Sequence, residues 1–173
     1  MLRIWTVGHS TRSDEEFTQI LLAHSIEVLV DVRMFPASRR YPQFNKSVLS
    51  ESLAQRGIRY HHEVRLGGRR PPRKDSHNTA WNNSAFRGYA DYMETEEFKQ
   101  AVKELLELSG KTRTTVMCAE AVWWKCHRSL IADYLKAAGH TVIHIINEKK
   151  TEEHPFTSAA RIVDGELSYR GLI

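Results

Sequence analysis

Between positions 118 and 128 the chain gathers five side chains able to do chemistry: Cys118, Glu120, Cys126, His127 and Arg128, in the stretch TTVMCAEAVWWKCHRSL (114–130). Cys118 and Glu120 are two apart, so in an extended segment both would face the same way. Cys126, His127 and Arg128 read as the first turn of a helix, where free backbone N–H groups and the helix dipole favour a thiolate or a bound anion. The set describes a pocket for phosphate or carboxylate with nucleophile and proton-transfer groups at its edge. Three readings of the cysteines stand side by side. One of them is a nucleophile with His127 or His9 as its base; or both, with one or more of His9, His127 and Glu120, hold zinc or iron, although a C-x7-C spacing matches no common structural zinc pattern; or they are small buried side chains flanking a loop. Glu120, expected to point inward at a strand end, is the candidate general acid or base. Trp123 and Trp124 are either core or a stacking platform for a base.

These residues need elements to place them. The β-branched run at 114–117 reads as a buried strand, and 127–138 as a helix stopped by Gly139. Residues 2–7 (LRIWTV) read as a first strand, leaving His9 and Ser10 at its carboxyl end. Ser13 and Glu16 form a capping box opening a helix to about His24, and 28–33 (VLVDVR) is a strand hydrophobic enough for burial on both faces, delivering Asp31 and Arg33. A helix over 47–55, a strand over 58–62, two helices within 86–108 divided at Thr95, and a strand over 141–146 follow. The tail, 147–173, shows only weak strand character near 167–169. Strands alternating with helices predict an α/β protein: a single domain over 1–173, with a mostly parallel open sheet of about five strands and helices on both faces. A strand order of 3-2-1-4-5, taken from common topologies, would make a switch point between strands 1 and 4 and bring His9 and Ser10 beside Cys118 and Glu120.

Charge is unevenly spread. Residues 33–74 hold eleven basic residues against two acids, a balance of +9 that leaves the rest of the chain at −5. Most are arginines, whose planar forks suit phosphate, with aromatic residues among them. They sit on or near two loops, 35–45 and 63–80, the latter long enough to be functional or disordered. Region 33–80 therefore reads as an insertion-like lid. Its Arg33, Arg39, Arg40, Arg69 and Arg70, with Ser10, His127 and Arg128, are the expected anion-binding residues, although a solvated charged face would look the same. A hydrophobic share of 41% is ordinary for a globular chain, and no apolar run reaches the roughly 20 residues of a membrane span. With no signal-peptide pattern and two cysteines confined to one stretch, a cytoplasmic protein with no membrane partner is expected. Its oligomeric state is not legible.

Taken together, Gly8-His9-Ser10, VLVDVR with its Arg-rich loop, Pro42-Gln43-Phe44-Asn45, Leu66-Gly67-Gly68, the segment 86–93, Cys118-Ala119-Glu120 and Cys126-His127-Arg128 resemble the Domain of Unknown Function 488 family from about residue 7 to residue 145. The resemblance implies an α/β fold whose site joins the GHS, CAE and CHR segments, and brings no activity with it. VLVDVR is also similar to a strand of rhodanese domains. That likeness stops at the nucleophile: Cys118 and Arg128 are ten positions apart and Cys126 only two, so neither leaves the short anion-binding loop that a sulfurtransferase needs. The expected function is an enzyme on a phosphate-bearing substrate, a nucleotide or nucleic acid; the alternatives are a non-catalytic nucleic-acid-binding module and a metal- or redox-sensing protein.

Overall fold

A computed structural model describes residues 1–171. Five parallel strands, β1 (Arg3–Gly8), β2 (Val28–Asp31), β3 (Arg59–His62), β4 (Thr114–Cys118) and β5 (Thr141–Ile145), and an antiparallel edge strand β6 (Thr151–Glu153) run in the order β3-β2-β4-β1-β5-β6. The helices are α1 (Asp14–Ala23), α2 (Lys46–Gln55), α3 (Ser84–Tyr92), α4 (Glu96–Ser109) and α5 (Arg128–Ala137). Ser13 caps α1 by accepting from the Glu16 backbone at 3.1 Å, and Thr95 caps α4, which divides it from α3.

The sheet is covered on both faces by the alternation within its strands. Trp5, Val7, Leu29 and Met117 pack with Phe17 and Leu21 of α1 and Leu49 and Leu53 of α2. Ile4, Val28, Val30, Val116 and Cys118 face α3, α4 and α5 through Tyr89, Phe98 and Leu130. Every residue of β2 and β4 is buried, which suits strands enclosed by two helical layers.

The strand order corrects the expected 3-2-1-4-5: β4, not β1, lies beside β2. Both strands are central and buried along nearly their whole length, so burial alone cannot tell them apart. The switch point survives the exchange, because β1 and β4 are neighbours with Gly8 opposite Cys118 and their helices leave toward opposite faces. The tail is more ordered than its composition suggests, supplying β6 and a hairpin of β7 (Arg161–Val163) and β8 (Glu166–Ser168) turned at Asp164-Gly165, both with positive φ. Asp-Gly between short apolar runs is a hairpin signal that the sequence did carry. No helix among the described residues is long and apolar enough to cross a membrane.

Candidate functional site

The carboxyl ends of β1 and β4 are stitched together. His9 donates its backbone N–H to the Cys118 carbonyl at 3.0 Å and Ser10 donates to Ala119 at 2.9 Å, with Ser10 held in the left-handed region at φ 51°. Gly8 is required by close packing: a Cβ there would lie 1.7 Å from the Glu120 carbonyl oxygen. That close approach comes from the chain's own site loop.

Cys126 is extended (φ −138°, ψ 154°), His127 is the N-cap of α5 and Arg128 its first residue, so the thiol stands just outside the helix, not in its first turn as expected. Its Sγ is 3.3 Å from His127 Nδ1 and 3.5 Å from the backbone N–H of Arg128. The other ring nitrogen, Nε2, donates to the Val32 carbonyl at 2.9 Å, which assigns the neutral tautomer and leaves the Nδ1 lone pair facing the thiol. A hydrogen bond from Cys118 lowers the Cys126 pKa, reinforced by the Arg128 N–H and charge and opposed by burial. Burial drives the Cys118 thiol the other way, well above its ordinary value, and keeps His127 neutral. The two cysteines are therefore inequivalent: Cys126 is the thiolate former, Cys118 the protonated neighbour, its S–H also 3.6 Å from the Glu120 carbonyl.

His9 and Arg33 make a second buried group beside them. His9 donates Nδ1–H to the Ser10 carbonyl at 2.8 Å, turns Nε2 toward Arg33 Nη1 at 3.4 Å, and stacks on Phe44 at 4.2 Å. Burial pushes its pKa down to about 4, so it is neutral. Arg33 is clamped bidentately by Asp31 (2.9 and 2.7 Å), which also accepts from the Tyr60 hydroxyl. Tyr60, Phe44 and Arg12 belong to this group, none of them having been read from the sequence as a site residue. Arg12 donates to the carbonyls of Gly8 and Ile146, and its position in the Gly-His-Ser-Thr-Arg stretch was the available signal.

Arg128 and Glu120 depart from their expected places. Arg128 is fully buried; Nη2 donates to the carbonyls of Glu120 (3.0 Å) and Ala121 (3.3 Å), so it holds the site loop and presents no open fork. Its Nη1 starts a one-directional chain: to Thr6 Oγ1 (3.4 Å), from that hydroxyl to His144 Nδ1, from His144 Nε2 to His154 Nδ1 (2.8 Å), and from His154 Nε2 to Asp133 (2.8 Å). A buried cation and a buried anion are thus joined by one chain of hydrogen bonds. Thr157 and Tyr169 of the tail complete the Asp133 carboxylate. Glu120 is solvent-exposed, because the chain leaves the strand geometry after Cys118 and the carboxylate swings outward. It still stands near enough to Cys126 to oppose its ionisation. Trp123 is buried and stacks on His144 at 4.7 Å, while Trp124 is 53% exposed.

The basic loops divide by partner. Arg33, Arg56, Arg65 and Arg73 bond to carboxylates, and Arg70 lies over Tyr92 while donating to the Gly67 and Val64 carbonyls. Arg39, Arg40, Lys46, Arg59, Arg69 and Lys74 are exposed, with no side-chain hydrogen bond or ion pair among the described residues. Loop 63–80 is anchored: Tyr89 and Tyr92 donate to the Leu66 and Arg65 carbonyls, and Asp91 accepts from Arg73, Ser76 and Asn78. Its Gly67-Gly68 turn lies against His127, a Cβ at Gly68 falling 3.0 Å from Nδ1, which sets exposed Arg69 close to the thiol site. Arg39 and Arg40 lie on the other loop, ahead of Phe44.

Among the described residues no three His, Cys, Asp or Glu side chains converge as a metal-ligand set, so the zinc or iron reading finds no ligand set there. A cleft of about 950 Å3 lies elsewhere, between the ends of α3 and α5 and the β7–β8 hairpin, and no thiol-site residue lines it.

No curated protein and no solved structure shows a significant match to the chain. A family model does, over residues 13–135, a span that carries the clamped Arg33, the anchored basic loop and the Cys118, Glu120, Cys126, His127 and Arg128 constellation while leaving β1, His9 and the tail outside it. On that match the chain belongs to the family described as Domain of unknown function DUF488.

Proposed function

We propose that this protein is a cytoplasmic enzyme, a hydrolase or transferase, that acts on a phosphate-bearing substrate, a nucleotide or nucleic acid, with Cys126 as its nucleophile. The observation that carries this reading is the Cys126–His127 pair, with the imidazole lone pair 3.3 Å from Sγ and the Arg128 backbone N–H on the same sulfur. In the reaction His127 Nδ1 takes the thiol proton and the thiolate attacks the electrophilic centre of the substrate. Glu120, exposed at the rim, exchanges a proton with the leaving group or with water. Arg69, Arg39 and Arg40 hold phosphate oxygens, while Arg33 and Arg128 shape the site from within. Two exposed aromatic side chains, Phe35 (66%) under the Arg69 guanidinium and Trp124 (53%), favour a substrate with bases to stack.

The test is a screen of wild-type protein against nucleotides, phosphomonoesters and short RNA and DNA oligomers, repeated with Cys126→Ser, His127→Asn and Glu120→Gln. Loss of turnover in Cys126→Ser, and a fall of about 10²–10⁴-fold in His127→Asn with binding retained, is the expected result. Turnover undiminished in Cys126→Ser would refute the nucleophile. A non-catalytic nucleic-acid binder is the second reading, favoured by the six unpaired exposed cations. It predicts affinity that falls steeply with salt and is indifferent to all three substitutions.

A further inference from the structure

The proposed reaction gives Cys118 nothing to do, yet the fold buries its thiol in the same cluster as the reactive one. The chain has two cysteines and both are at this site. Cys118 closes β4 and Cys126 precedes α5, and both thiols lie in one buried apolar cluster joined by Arg128: its backbone N–H is 3.5 Å from Cys126 Sγ, and its Nη2 donates to the Glu120 carbonyl that also accepts from Cys118 Sγ at 3.6 Å. The residues between them, 119–125, include no strand or α-helix, only a 3-10 turn at Trp123–Lys125, and Ala119, Glu120, Ala121, Trp124 and Lys125 are exposed. Such a loop can yield to a new bond more easily than a strand or helix. Cys126 keeps 8% of its surface open, against 1% for Cys118, so a small oxidant meets Cys126 first.

We propose that Cys126 is a peroxide-oxidised thiol and Cys118 its resolving partner, the pair closing into a reversible intramolecular disulfide. The Cys126 thiolate attacks one oxygen of a hydroperoxide; the S–O bond forms as the O–O bond breaks, and the departing alkoxide or hydroxide takes up a proton. The Cys118 sulfur then displaces hydroxide from the resulting sulfenic acid, forming the S–S bond, and hydroxide leaves as water with the Cys118 proton. Two thiols are oxidised and one peroxide is reduced. A dithiol reverses the change. Closure draws the Cys126 sulfur off His127 and removes the nucleophile, so the disulfide is the closed state of the site. The inference stands on the two thiols and needs no substrate, so its outcome is separable from that of the enzyme reading.

The test treats the whole chain with one to a few equivalents of hydrogen peroxide, followed by denaturing thiol titration and intact mass. Both titratable thiols are expected to disappear with a mass loss of two hydrogens in the monomer, and dithiothreitol to restore both. In Cys118→Ser, Cys126 is expected to form a sulfenic acid trapped by dimedone; in Cys126→Ser, Cys118 is expected to survive the same dose. The wild-type measurement decides the matter even if a variant fails to fold. Three results would each overturn the proposal: both thiols persisting at doses that fully oxidise glutathione, oxygen accumulating on Cys126 while Cys118 stays free, or thiol loss only through dimers.

Discussion

Acidification from about pH 7.5 to about pH 5 should remove about 4 kcal/mol of folding free energy, well above the lowest carboxylate range. Burial holds His9 at a pKa of about 4 and His144 at about 2, against an ordinary 6.5. Nearby positive charge adds to the effect, from Arg33 at His9 and from Arg128 at His144. Both histidines therefore bind a proton more readily in the unfolded chain, so their contribution is complete above the unfolded pKa and is lost as the pH falls through 6.5 toward the folded value. At pH 5 the unfolded imidazole is about 30-fold more protonated than neutral, and the folded one nearly unprotonated, which is about 2 kcal/mol for each residue. His127 and His140 are displaced in the same direction and can only add to the loss. Against a total of about 5–15 kcal/mol for a typical domain, this is a large share. Urea titrations followed by tryptophan fluorescence at the two pH values measure it, and His144→Gln should reduce the pH-dependent difference by about 2 kcal/mol. Coincident unfolding free energies at both pH values would mean that these histidines are not held neutral, and the assignment of the Arg128 to Asp133 chain would fall with them.

Two further substitutions probe the scaffold. Gly8→Ala places a methyl group where the Glu120 carbonyl stands and should cost about 3 kcal/mol or more, visible in chemical denaturation; a variant of wild-type stability would show that the site loop does not rest on β1. Asp133→Asn puts an amide group where the carboxylate accepts from Thr157, Tyr169 and His154, and leaves Arg128 without its distant counter-charge. About 3 kcal/mol of destabilisation is expected, and less than about 1 kcal/mol would show the two charges to be independent.

Much of this molecule could be read from its residues, for physical reasons that differ by element. Four of the five parallel strands, all but the polar β3, and the α1 and α4 caps announce themselves through local rules, apolar β-branched runs and Ser or Thr before acidic residues. Which of β1 and β4 neighbours β2 is a long-range choice between two similarly buried strands, and no local pattern encodes it. The meeting of Gly8-His9-Ser10 with Cys118 was legible because the switch point depends on β1 and β4 being adjacent, a feature shared by the expected and observed orders. Glu120 was misplaced by carrying strand geometry two residues too far. Arg128 was read as an open anion fork, but a buried guanidinium is matched first to nearby carbonyls, and whether any of its donors face solvent depends on tertiary packing. Region 33–80 read as an insertion-like lid; its 63–80 loop is held by three side chains of α3, Tyr89, Asp91 and Tyr92, a tertiary contact that no local pattern in the loop announces.

The span shared with the family, 13–135, is not a unit that could be cut out. Excision at those ends would remove β1 from the middle of the sheet and turn β4, a fully buried strand, into a bare edge ready to pair with another copy. It would also strand Asp133 without His154, Thr157 and Tyr169, a buried anion with its solvating groups gone. The unit that folds is wider than the unit that is recognised, and fragments used to study the thiol site need residues from both flanks to keep it in shape.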